Sequence, residues 1–118
     1  MKYAMLIYTD PDKFPVLSEA EQRAVTAEYF ALREEPTCLE GAQLQPAAAA
    51  TTVRIQGGET LTTDGPFAET KEVFGGYYVF ELENLDAALE MAARIPMARM
   101  GGSVEVRPLV EVYPLVEG

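Results

Sequence analysis

The sequence predicts a single α+β domain in which two amphipathic helices cover one face of an antiparallel sheet. Three observations carry that expectation. Residues 2–9 and 73–80 read as strand segments with apolar side chains on both faces. Ser18 and Asn84 each stand at the head of a helix-patterned stretch. The chain of 118 residues gives room for one core and one domain, residues 1–118.

The first strand, residues 2–9, sets Tyr3, Met5 and Ile7 on one side and Ala4, Leu6 and Tyr8 on the other. Its apolar run is too short for a signal peptide and lacks a small-residue cleavage site. Asp10-Pro11-Asp12 and Pro15 form a loop. Ser18 and Glu21 then make an S-x-x-E capping box, and Val25, Tyr29 and Leu32 mark the buried stripe of a helix. Pro36 is expected to end or kink that helix near Glu35. Ala42–Gln45 is a short strand candidate. The four alanines 47–50 favour helix by propensity, but Pro46 and Thr51-Thr52 enclose them, which predicts a loop.

Thr51–Gln56 and Glu59–Thr63 flank Gly57-Gly58, a two-residue hairpin signal in which both turn positions take positive φ. Val73–Glu83 is the strongest strand, with Gly75-Gly76 near its start suggesting a bulge or a close backbone approach. Asn84 caps a second helix, whose stripe is Leu85, Ala88, Leu89, Ala92 and Ile95 or Pro96. Glu90 and Arg94 fall at a favourable i, i+4 spacing within it. Pro96 ends the helix, and Ser103–Leu109 forms a last core strand that Val110–Val112 extends. Without the central hairpin the order is β-α-β-β-α-β, the ferredoxin-like split, with both helices on one face of the sheet. The strands are apolar on both faces, yet two helices cover only one. A second copy of the chain is therefore the expected cover, through the sheet face of a homodimer.

Composition narrows function. The formal charge of −10, from 19 acidic and 9 basic residues, repels phosphate backbones and anionic lipid, which argues against nucleic-acid and membrane partners. No stretch approaches the length of a membrane span. The single cysteine, Cys38, precludes an intramolecular disulfide and fits a reducing, cytoplasmic setting. Histidine is absent, so the commonest proton-transfer group and metal ligand is missing, and no metal site is expected. The glycine pairs match neither the dinucleotide nor the P-loop spacing, so no nucleotide cofactor is indicated.

The segment Asp64-Gly65-Pro66-Phe67-Ala68-Glu69-Thr70-Lys71-Glu72 combines a turn, charged groups and an aromatic anchor between two strands. Asp64 can act as a general base or hold a cation; equally, it is a turn residue whose side chain binds backbone amides. Glu69, Lys71 and Glu72 line a pocket mouth or form a solvated loop, and Phe67 is an anchor. Tyr77 and Tyr78 can donate to an oxyanion or sit in the core with satisfied hydroxyls. Arg54 and Arg107 can hold a carboxylate, or pair with Glu59 or Glu105 across the sheet. Cys38 is rejected as a nucleophile, because Glu35 and Glu40 beside it would raise its pKa.

With Gly75-Gly76-Tyr77-Tyr78, Leu85-Asp86-Ala87-Ala88-Leu89-Glu90 and Ser103-Val104-Glu105-Val106-Arg107-Pro108, that segment resembles the signature of the YCII-related, or DGPF, domain family. The opening Met1-Lys2-Tyr3 and Thr51-Thr52-Val53-Arg54 fit as well, so the likeness spans nearly the whole chain. The resemblance implies a dimeric α+β barrel built on the ferredoxin-like fold. It also implies a cofactor-free small-molecule enzyme or binder with a cleft near the dimer interface. Asp64 would then serve as acid–base, with Lys71, Tyr78, Arg54 and Arg107 orienting a small anionic ligand. The alternative it implies is a non-catalytic regulatory module associated with an extracytoplasmic-function sigma factor. A branch of the family carries a His/Asp pair, which a chain without histidine cannot reproduce.

Overall fold

In the computed structural model, which describes residues 1–66 and 70–111, the chain is α+β with two helices and an antiparallel sheet. The elements in order are β1 (Lys2–Thr9), α1 (Glu19–Arg33), β2 (Cys38–Gln43), β3 (Thr51–Gln56), β4 (Glu59–Asp64), β5 (Val73–Glu81), α2 (Leu85–Ala93) and β6 (Ser103–Pro108). One sheet has four strands in the order β2-β5-β1-β6, every neighbouring pair antiparallel. β3 and β4 form a separate two-stranded sheet.

Strand periodicity sorts the central pair β1 and β5 into two faces. Tyr3, Met5 and Ile7 of β1 and Tyr78 and Phe80 of β5 are buried in one core with Leu32 of α1, Ala88 and Ala92 of α2, and Ile95, Met97 and Met100. Both helices therefore pack on the same face. The opposite face carries Ala4, Leu6 and Tyr8 beside Val79, Tyr77 and Phe74, their registered partners. These six side chains have no covering element among the described residues, and Phe74 is 39% exposed. The register shifts between Ile7 and Tyr8, where Gly75 is the extra residue; this is the bulge that the Gly75-Gly76 pair predicts.

Both helix starts follow their capping residues. Ser18 Oγ accepts the Glu21 N–H while Glu21 returns a bond to the Ser18 N–H. Asn84 Oδ1 accepts the Ala87 N–H at 2.9 Å. The other boundaries correct the sequence reading. α1 stops at Arg33, two residues before the expected end. Of its stripe, Leu32 is buried while Val25 and Tyr29 are partly buried against the core. The short strand is Cys38–Gln43 rather than Ala42–Gln45, because the ladder to β5 decides its position over a weak local pattern. Ala47–Ala49 form one 3-10 turn, not a plain loop. β5 and β6 end two residues and one residue early, at Glu81 and Pro108. Val110 and Glu111 do not extend β6, and Val112 lies outside the described residues.

In α2, Ala88 and Ala92 are buried but Leu85 and Leu89 are about half exposed, so the apolar stripe is narrower than its sequence suggests. Arg94 does not form the expected pair with Glu90. It reaches Glu35, beyond the end of α1, at 2.6 Å. Pro96 ends α2 as expected and begins a 3-10 turn, Pro96–Arg99.

The β3–β4 hairpin turns at Gly57 and Gly58, with φ of +57° and +80°. The cross-strand register places Val53 and Ile55 on one face with Thr60 and Thr62, and Arg54 and Leu61 on the other. Val53 and Ile55 are 60% and 72% exposed. The hairpin thus projects as an arm. Accordingly the radius of gyration is 16.8 Å, against roughly 13–14 Å for a compact chain of this length.

Candidate functional site

A cleft lies between α1 and the β2–β5 edge of the sheet, with a volume of about 520 Å³. Its helical wall is one stripe of α1: Val25, Thr26, Tyr29, Phe30 and Arg33. Those spacings of one, four, five and eight residues place the side chains along a single side of a helix. The strand wall is Gly41, Ala42 and Gln43 of β2 with Gly75, Gly76, Tyr77 and Tyr78 of β5. Ile7, Thr9, Phe14, Met97 and Met100 complete it. Phe14 and Phe30 are 44% and 66% exposed and form an aromatic rim.

Two glycines let β2 and β5 approach each other within the strand wall. A Cβ on Gly41 would lie 2.6 Å from the Tyr78 ring, and one on Gly76 would lie 2.8 Å from the Ala42 carbonyl oxygen. Tyr78 is buried, its hydroxyl donates to the Tyr29 carbonyl at 2.8 Å, and the two rings stack at 6.5 Å. Burial pushes the Tyr78 phenol up to about 12. Tyr29 is raised by the same cause. Both phenols are therefore protonated, neutral hydrogen-bonding groups at neutral pH.

Among the described residues no lining side chain is acidic, and Arg33 is the one that is ionised. Its guanidinium donates to the Gly41 carbonyl. Its positive charge opposes the raised pKa of Tyr78, of Tyr77 and of the Cys38 thiol. Cys38 is indeed raised, but desolvation is the leading cause, not the neighbouring glutamates. Tyr77 donates to Glu40 at 3.0 Å, and that bond is what raises its phenol most. Among the described residues no three Cys, Asp or Glu side chains converge on a point that could hold a metal ion.

Of the candidate site residues singled out from the sequence, Tyr77 and Tyr78 line the cleft. Asp64 ends β4 on the arm, paired in register with Thr51, and is exposed. Its carboxylate accepts no hydrogen bond among the described residues. The turn is instead closed by the Gly65 N–H, which donates to Ala50 O at 2.7 Å, and by the Thr52 hydroxyl, which donates to Gly65 O at 2.8 Å. Arg54 lies on the arm face opposite Asp64, since its register partner is Leu61. Lys71 is exposed in the segment between β4 and β5. Arg107 sits on β6 and holds Glu105 at 2.7 Å, two residues away on the same strand rather than across the sheet. Glu72 accepts the Ser103 hydroxyl at 3.1 Å. Phe67 and Glu69 lie outside the described residues. Within one chain, Asp64, Arg54, Lys71 and Arg107 do not meet at the cleft.

Sequence reasoning missed Thr26, Phe30 and Arg33. A signal for them exists: they repeat at i, i+4, i+7, displaced by one residue from the core stripe Val25, Tyr29 and Leu32.

The fold and cleft define a small α+β domain with a preformed, largely apolar pocket beside its sheet. The match to the YCII-related domain model runs over residues 1–113, and the chain belongs to that family. It is also 39% identical, over 119 aligned positions, to an uncharacterised protein of Rhizobium meliloti (strain 1021), with 97% of this chain and 96% of that protein covered.

Proposed function

We propose that the protein is a homodimeric, cofactor-free small-molecule binder or enzyme of the cytoplasm, with its site in the cleft between α1 and the β2–β5 edge. The observation that carries this reading is the cleft itself: about 520 Å³, apolar walls and a few polar groups, within the range of small-molecule sites. A ferredoxin-like reading of the scaffold is supported by the order β2-β5-β1-β6, in which β5 lies between the two strands joined through α1. The dimeric barrel reading draws support from the apolar sheet face of Leu6, Tyr8, Phe74, Tyr77 and Val79. An acid–base role for Asp64, with Lys71, Arg54 or Arg107 orienting the ligand, requires a second copy to bring these groups to a cleft. Loss of turnover in Asp64→Asn, with binding retained, is the outcome expected of that role.

Fragment screening by amide chemical-shift mapping tests the site. Small ligands are expected to move the Gly41 and Gly76 resonances. Ligands that map only elsewhere would remove the proposal.

A second reading, a non-catalytic interaction module acting with a sigma factor, takes its support from the exposed arm. Partner capture that depends on Val53 and Ile55 but not on the cleft would favour it.

A further inference from the structure

We infer that the cleft takes a monoanionic ligand with an apolar, ring-bearing body, its carboxylate or sulfonate held by Arg33. This rests on the cleft being a binding site, as proposed above, and adds the ligand's charge and shape. The chain has 19 acidic residues against 9 basic ones, yet among the described residues no acidic side chain lines the cleft. In such a chain a cleft free of carboxylates is a local reversal of charge.

Arg23, Arg33 and Arg54 hold no carboxylate among the described residues, and of these three Arg33 is the one that lines the cleft. Arg94, Arg99 and Arg107 each hold a carboxylate, from Glu35, Glu28 and Glu105. Arg33 has no carboxylate within 4.0 Å among the described residues, and its one hydrogen bond goes to the neutral Gly41 carbonyl. A guanidinium has five N–H donors, so most of its capacity is left for an acceptor, and its charge remains uncompensated. The bond to Gly41 anchors the group at the β2 wall, where the remaining donors reach an incoming oxyanion without a large loss of rotamer freedom. One cation matches one negative charge. A dianion would bring a second charge into apolar walls with nothing to neutralise it. The walls set the rest of the ligand: stacked Tyr29 and Tyr78 form a flat aromatic surface, and Phe14 and Phe30 stand at the rim.

Two fluorescent probes with nearly the same aromatic body separate the claims: 1-anilinonaphthalene-8-sulfonate, a monoanion, and neutral N-phenyl-1-naphthylamine. The anion is expected to bind about tenfold more tightly, as one charge-assisted contact implies. Arg33→Gln should remove that preference and leave the neutral probe within about twofold. Arg33→Lys should retain part of it, and it covers the case in which Arg33→Gln fails to fold. Thr26→Trp, which fills the cleft from the exposed side of α1, should abolish binding of both probes. Equal affinity for the two probes, or a preference unchanged in both Arg33 variants, would overturn the anion assignment and leave the site standing. Binding of both probes that survives Thr26→Trp, or no binding of either, would overturn the site itself and this inference with it.

Discussion

The Tyr78 hydroxyl donates to the Tyr29 carbonyl at 2.8 Å, so a single hydrogen bond ties β5 to the middle of α1 across the floor of the cleft. The rings of the same two residues lie 6.5 Å apart and only 15° from parallel. Replacing Tyr78 by Phe keeps the ring and removes the bond. The expected loss is about 1 kcal/mol, read as a melting temperature lower by about 4 °C. A melting temperature equal to wild type would show that water substitutes fully for the phenol.

The burial of the Tyr78 phenol predicts an alkaline transition. Tyr78 titrates at about 12 in the folded chain against an ordinary value of 10. Its folded-state pKa is the higher one, so its contribution is complete below pH 10 and is lost as pH rises through 12. Chemical denaturation as a function of pH should show stability falling over that window. The fall should be shallower in Tyr78→Phe, with Tyr29 accounting for part of the remainder.

Gly102 and Gly57 make a contrasting pair. A Cβ on Gly102 would lie 2.2 Å from the Tyr8 carbonyl oxygen and 2.5 Å from Met97 Cγ, and the first of these is main chain. Gly102→Ala is expected to cost about 3 kcal/mol, because the β1–β6 register must shift to admit it. At Gly57 nothing lies within 4 Å, but φ is +57°. Gly57→Ala should therefore cost only the left-handed penalty of about 1 kcal/mol, confined to the arm. Urea denaturation of the two variants separates a steric cause from a conformational one.

The capping box of α1 gives an acid-side prediction. Glu21 is held below the ordinary carboxylate range by the Ser18 N–H. A depressed folded pKa contributes stability above the unfolded value that is lost as pH falls through the folded one. Ser18→Ala should destabilise by about 1 kcal/mol at neutral pH. Glu21→Gln should flatten the acid limb of the stability profile. An unchanged acid limb would mean that the box does not persist in solution.

The uncovered sheet face predicts assembly. Leu6 and Val79 lie on it, each half-buried in the single chain. Sedimentation of the wild type at micromolar concentration should show a dimer, and Leu6→Glu should release a monomer with its helical signal intact. A wild-type chain that sediments as a stable monomer would remove the homodimer from the proposal.

Much of the fold was legible because local and long-range signals agreed. Ser18, Asn84 and Gly57-Gly58 each state a boundary through the chemistry of one or two residues, and the elements begin and turn where they say. Alternation in residues 2–9 marked both faces of β1. The misplaced pieces lack such chemistry. Cys38-Leu39-Glu40 carries no strand pattern and becomes β2 only because β5 offers an open ladder beside it. Arg94 has two acids within reach, and the nearer in sequence, Glu90, lost to Glu35, which tertiary packing brings close. The site was less legible for the same reason. The charged motif at Asp64 attracts notice as a cluster in sequence, whereas the cleft is assembled from α1, β2 and β5, and its cation, Arg33, has no unusual neighbour in the chain.

The tip of the β3–β4 arm offers an experimental handle. With open space around Gly57 and Gly58, a short peptide tag inserted between them would ride clear of the core and of the cleft. Cys38 is the only native thiol and is raised by burial, so Cys38→Ser would leave an added tip cysteine as the sole attachment point. A spin label there would turn the arm into a ruler: in any assembly of two copies, the separation of the two labels reads out directly how the chains are arranged.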